Sequence, residues 1–139
     1  MARIMAIDYG SKRVGIAVTD PQQIIATGLT TVHSKDVIDF LKNYVENEEV
    51  VCIVVGEPKH MNNEPSDSAR FIEPFVLHLK RTFPKVKIER MDERFTSKMA
   101  FQTMIDSGLK KKARQNKELV DEISATIILQ SYLLKRHEI

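Results

Sequence analysis

The chain has 139 residues, of which 42% are hydrophobic and 29% charged, enough for one globular domain over residues 1–139 and no room for a second. Its 21 Lys and Arg nearly balance 19 Asp and Glu, and a formal net charge of +2 does not by itself predict a polyanionic partner. The lone Cys52 excludes an intrachain disulfide, no apolar run approaches the roughly 18 residues of a membrane span, and residues 1–4 lead into a strand pattern and not a signal peptide; the expectation is a soluble cytoplasmic protein without a membrane partner.

Residues 3–8 form an apolar run ending in Asp8, and Val14, Ile16 and Val18 alternate along residues 13–19, so both segments read as strands. The short linker Tyr9-Gly10-Ser11-Lys12 makes an antiparallel hairpin the economical connection. After the Asp20-Pro21 turn signal a third strand is expected over about 24–32. Val37, Ile38, Leu41, Tyr44 and Val45 recur at helical spacing and predict a helix over about 36–47. The β-branched run 50–55 reads as a strand buried on both faces, ended by Gly56 and Pro58.

A polar loop over 57–66 leads to a second helix over about 67–83, which Pro74 is expected to kink or divide. A fifth strand spans 86 to about 91. Thr96 can cap a third helix reaching Ser107, with Gly108 as its stop, and a last helix runs from about 117 to 136. Three meander strands followed by alternating helices and strands imply an α/β fold: a mixed five-stranded sheet, an antiparallel meander plus two parallel strands, with helices on both faces.

Several familiar chemistries are missing. There is no GxSxG, His-Glu-x-x-His or Cys-x-x-Cys, and the Gly10 to Gly15 spacing lacks the Lys-Ser/Thr that a phosphate-binding loop needs. The acids are more informative. Asp8 closes the first strand next to Gly10, where backbone can approach a ligand, although a turn aspartate would look the same. Asp92 and Glu93 follow the fifth strand at the edge where open α/β sheets place ligands. Adjacent residues point to opposite sides, so one of the two is expected to face the site; a salt bridge to Arg94 is the bland alternative.

Asp121 lies in the first turns of the last helix, and Ser124 and Ala125 one turn on are small enough to let that helix lie close to the sheet. The helix dipole alone also favours an acid there. Taken together, carboxylates from the first strand, the fifth strand and the last helix can converge on one sheet edge. Converging carboxylates raise one another's pKa unless a hard cation neutralises them, and oxygen ligands select Mg²⁺ or Mn²⁺. Two such ions about 4 Å apart can activate water and stabilise the leaving oxygen in phosphodiester hydrolysis.

Lys110, Lys111, Lys112, Arg114 and Lys117 put five positive charges between 107 and 117 with no acid among them, just before Asp121. Such a run is commonly a solvated loop, but beside a metal site it is placed to hold a polyanion, and Lys12, Arg13 and Arg94 extend the patch. The rest of the chain then carries 16 positive against 19 negative charges, so the near-neutral total averages a basic loop and a mildly acidic body. At 6% aromatic residues, base stacking is not expected to be the main mode of binding.

Asp8-Tyr9-Gly10 through Arg13-Val14-Gly15, Val55-Gly56-Glu57-Pro58, Asp92-Glu93-Arg94-Phe95-Thr96-Ser97, and Asp121 with Ser124-Ala125 and 128–133 resemble, in order and spacing, the motifs of the YqgF (RuvX) family of bacterial nucleases. The resemblance implies an RNase H-like fold, with Asp8, Glu93 and Asp121 as metal-binding catalytic acids, and it supports Glu93 over Asp92. It further implies processing of the 5′ end of pre-16S rRNA, and hence association with a ribosomal subunit. Family members have also been described as Holliday junction resolvases, an activity that calls for a homodimer.

Glu57, where the family has an apolar residue, is either an added acid at the metal edge or an exposed loop acid, and Asn63 replaces a usual glycine. Two other classes compete with the nuclease. One is a non-catalytic nucleic-acid-binding assembly protein. The other is a sugar-kinase or actin-like ATPase, which needs two such domains where this chain has length for one.

Overall fold

Alternation along the strands decides the two faces of the sheet. A computed structural model of the chain describes residues 2–57, 69–92 and 117–137. Within them the elements are β1 (Arg3–Tyr9), β2 (Arg13–Thr19), β3 (Ala26–His33), α1 (Val37–Asn47), β4 (Val50–Glu57), α2 (Ala69–Thr82), β5 (Lys87–Asp92) and α3 (Lys117–His137). The strands form one sheet in the order β3-β2-β1-β4-β5. β1 pairs antiparallel with β2, and β2 with β3; β4 runs parallel to both β1 and β5. This is the expected meander plus two parallel strands.

Met5 and Ile7 of β1, Val14, Ile16 and Val18 of β2, and Ile53 and Val55 of β4 point to one face, where Val37 and Leu41 of α1 and Ile72, Phe75, Val76 and Leu79 of α2 cover them. Their neighbours Ile4, Ala6, Ala17, Cys52 and Val54 point to the other face and pack against Ala125, Ile128, Leu129 and Leu133 of α3. Each fully buried Ile or Leu, such as Ile53, Leu41 and Leu129, contributes about 1.5–3 kcal/mol of burial. On the α3 side β1 and β2 present the small residues Ala6, Gly15 and Ala17, and the helix settles close onto them.

Two sequence expectations change in detail. Ile24 and Ile25 are 66% and 64% exposed and precede β3, because the Asp20 carboxylate accepts their backbone N–H groups at 2.8 and 2.7 Å, leaving neither for a sheet ladder. Helix α2 continues through Pro74 without division, and Pro74 is exposed; on that side a carbonyl deprived of its amide partner can bond water. The helix expected over 96–107 and Asn63 lie outside the described residues. No helix among the described residues is long and apolar enough to cross a membrane.

Candidate active site

Asp8 is the last α3-facing residue before the β1–β2 turn, following Ile4 and Ala6 by strand alternation. Its cross-strand partner on β2 is Gly15. A Cβ on Gly15 would lie 2.1 Å from the backbone oxygen of Asp121 and 3.1 Å from its Cβ. Only a glycine lets α3 come this near, and the contact sets Asp121 over the strand pair that carries Asp8.

The β1–β2 turn completes the wall. The Gly10 N–H donates to the Arg13 carbonyl at 3.0 Å, and a Cβ on Gly10 would meet that same oxygen at 2.7 Å. Ser34, at the exit of β3, anchors the turn from outside: its N–H donates to the Lys12 carbonyl at 3.0 Å and its hydroxyl to the Ser11 carbonyl at 2.8 Å. Asp8, Gly10, Ser11, Lys12, Arg13 and Asp121 together line an open pocket of about 300 Å³.

The pocket's electrostatics are those of two acids and one committed base. Removal from water, and then the negative charge of Asp121, push the Asp8 carboxyl from its ordinary 3.8 up to about 6. Among the described residues no group donates a hydrogen bond to the Asp8 carboxylate. Asp121 is held by Arg13, whose Nε lies 2.8 Å from its Oδ2. Lys12 is exposed at the rim.

Of the residues singled out from sequence, the fold therefore brings Asp8, Asp121, Lys12 and Arg13 together. Glu57 and Asp92 close β4 and β5 as register partners, and Lys117 opens α3. Glu93, Arg94, Lys110, Lys111, Lys112 and Arg114 lie outside the described residues. The close approach of α3 is expected at the small residues Ser124 and Ala125. Ala125 is fully buried against the sheet, but the tightest approach is at Gly15, and a glycine in the middle of an alternating strand was the available signal. The Arg13–Asp121 pair spans 108 positions of sequence and had no local signal.

Two carboxylates converging on one pocket, one of them without a hydrogen-bond donor among the described residues, make a donor set suited to a hard divalent cation. No group of three potential ligand side chains occurs among the described residues.

A family model described as RuvX, Holliday junction resolvase, matches residues 2–135. The chain is 65% identical over 136 residues to a Flavobacterium psychrophilum protein named "Putative pre-16S rRNA nuclease", covering 98% of this chain and 99% of that one. A Bacteroides fragilis protein of the same name is 62% identical over 133 residues, with 96% of each chain covered. In fold the chain is similar to T. thermophilus RuvC in complex with a Holliday junction substrate, at a TM-score of 0.62 and 16% identity over 99% of this chain and 97% of that one. A second Thermus thermophilus RuvC structure gives 0.53 and 17% over 98% and 96%. These likenesses bear out the RNase H-like fold. With a family model spanning residues 2–135 and relatives 62% and 65% identical over almost their whole length, the chain belongs to the RuvX family.

Proposed function

We propose that this nuclease hydrolyses phosphodiester bonds of structured nucleic acid at a divalent-cation centre built on Asp8 and Asp121, with Glu93 as the third acid. The convergence of the Asp8 and Asp121 carboxylates on one open pocket is the observation that carries the reading. A cation bound beside Asp8 would reverse the upward shift of its carboxyl and favour the ionised form as a ligand. Mg²⁺ or Mn²⁺, when bound, supplies a polarised water and charge stabilisation for the leaving oxygen.

The protein's own contribution is position. The Gly15 contact fixes Asp121, strand β1 fixes Asp8, and the turn residues Gly10 and Ser11 leave the pocket mouth open to a backbone phosphate. Lys12 at the rim, with Lys110, Lys111, Lys112, Arg114 and Lys117 ahead of Asp121 in sequence, supplies cations for a polyanion.

As substrate we infer the 16S rRNA precursor, since the relatives 62% and 65% identical are named for a pre-16S rRNA nuclease, and its 5′ end, as the motif resemblance implies; the protein then meets its substrate on a small-subunit precursor. The family description favours a second reading, resolution of four-way DNA junctions. Symmetric cutting of a junction requires a homodimer. The deciding experiment gives purified protein a pre-16S rRNA 5′ fragment and a four-way DNA junction in parallel, with Mn²⁺ or EDTA. Metal-dependent cleavage of the RNA, lost in Asp8→Asn and Asp121→Asn, is the expected result. Cleavage of the junction alone, by a dimer, replaces the substrate assignment, and unchanged cleavage by Asp8→Asn refutes the site.

A further inference from the structure

The Arg13–Asp121 pair stands inside the pocket where a divalent cation is proposed to bind, and the inference drawn from it rests on that reading. Arg13 lines the same pocket as both acids, and its Nε takes Asp121 Oδ2 at 2.8 Å. A guanidinium and a divalent cation offered the same carboxylate compete for its charge and its lone pairs. We propose that Arg13 is the resident counter-ion of the centre: it neutralises Asp121 in the metal-free protein and must yield that carboxylate when the metal binds.

Three observations favour this role over a clamp that merely fastens α3 to β2. The helix is already seated by the Gly15 contact and by Ala125, Ile128 and Leu129, all fully buried. The ion pair is 38% and 20% exposed at its two side chains, a setting in which ion pairs add little to stability. And the Arg13 backbone is fixed twice, by the Gly10 N–H to its carbonyl and by its pairing with His33 across the sheet, so only the half-exposed side chain is free to move. A guanidinium displaced from Asp121 stays on the pocket wall beside Lys12, where a phosphate of the substrate would meet it.

The test is Mn²⁺ binding to the metal-free, full-length protein by isothermal titration at pH 7.5, with thermal unfolding in EDTA and in saturating Mn²⁺. Arg13→Gln is expected to bind Mn²⁺ at least about threefold tighter than the unaltered chain, and to gain more thermal stability from it. Arg13→Lys keeps the charge without the fixed fork and should fall between the two; if Arg13→Gln does not fold, this variant decides. Equal or weaker Mn²⁺ binding by a folded Arg13 variant overturns the proposal. So does an equal loss of stability with and without Mn²⁺, the signature of a clamp. Asp8→Asn separates the two levels. If it keeps full Mn²⁺ affinity, the metal centre itself is wrong and the Arg13 role falls with it. If it loses affinity while Arg13→Gln is unchanged, the centre stands and the counter-ion role alone is refuted.

Discussion

Gly15 on β2 has no room for a side chain: a methyl group there would lie 2.1 Å from the backbone oxygen of Asp121 and 2.5 Å from its carbonyl carbon. Gly28 on β3 also faces α3, yet its nearest neighbour would be the Thr126 hydroxyl at 3.3 Å. The two glycines therefore predict opposite outcomes. Gly15→Ala has backbone to displace and should cost about 3 kcal/mol or more, with α3 pushed off the sheet and Asp121 carried away from Asp8. Gly28→Ala meets a rotatable hydroxyl and should stay within about 1 kcal/mol of the parent. Urea denaturation of both variants checks this, and a Gly15→Ala protein as stable as Gly28→Ala would contradict it.

The partly buried Asp8 carboxyl, beside Asp121, makes the metal-free protein less stable than it need be. Its folded pKa, about 6, lies above the ordinary 3.8. Its contribution is thus intact below about pH 4 and is lost as pH rises through about 6. Asp8→Asn removes the burden and should stabilise the metal-free protein at pH 7.5 by about 1–3 kcal/mol. The advantage should vanish below about pH 4. Denaturation in EDTA across pH 3.5–8 follows both halves, and a variant that is less stable at pH 7.5 would show that Asp8 is not electrostatically strained.

The fold was legible in the sequence wherever burial imposes a period. Alternation in 13–19 and helical spacing in 36–47 gave β2 and α1 nearly to the residue. The start of β3 was misplaced because Ile24-Ile25 looks like strand sequence, while the Asp20 side chain that captures their amides acts through a turn that hydrophobicity does not report. For the site, chain position alone marked Asp8 and Asp121 as strand-end and helix-start acids. What joins them is a strand glycine and an arginine on the neighbouring strand, and long-range packing of that sort leaves no periodic trace. Arg13 read as part of a basic patch for nucleic acid; the fold gives it an acidic partner first.

Cys52 lies under α3 at 5% exposure, with the Tyr132 hydroxyl 3.9 Å from its sulfur. Burial pushes its thiol above the ordinary 9.0, and the Tyr132 contact offsets this only in part. Thiolate, not thiol, reacts with alkylating agents and disulfides. The native protein should therefore resist a disulfide reagent at pH 8 over the time in which urea-unfolded protein reacts fully. Immediate labelling of the folded protein would mean that α3 opens readily from the β4 side of the sheet.

The Asp20 carboxylate organises the β2–β3 turn by accepting three backbone N–H groups, from Gln22 at 3.0 Å, Ile24 at 2.8 Å and Ile25 at 2.7 Å. Gln23 between them adopts a positive φ of 61°, a conformation the turn must hold in place. The amide of Ile25 leads these bonds in drawing the Asp20 pKa below its ordinary 3.8. With the folded value below the unfolded one, the stabilisation is complete above about pH 4 and disappears as pH falls through the lower folded value. Amide exchange at Ile24 and Ile25 should be slower near neutral pH than the intrinsic rate of an unprotected amide and should accelerate, after correction for intrinsic rates, below pH 4. Asp20→Ala should show the fast behaviour at every pH, while Asp20→Asn, which keeps one acceptor oxygen, retains part of the protection without its pH dependence. Equal protection in Asp20→Ala and the parent would mean that the turn is held by the Gln23 N–H to Asp20 carbonyl bond at 2.9 Å and not by the carboxylate.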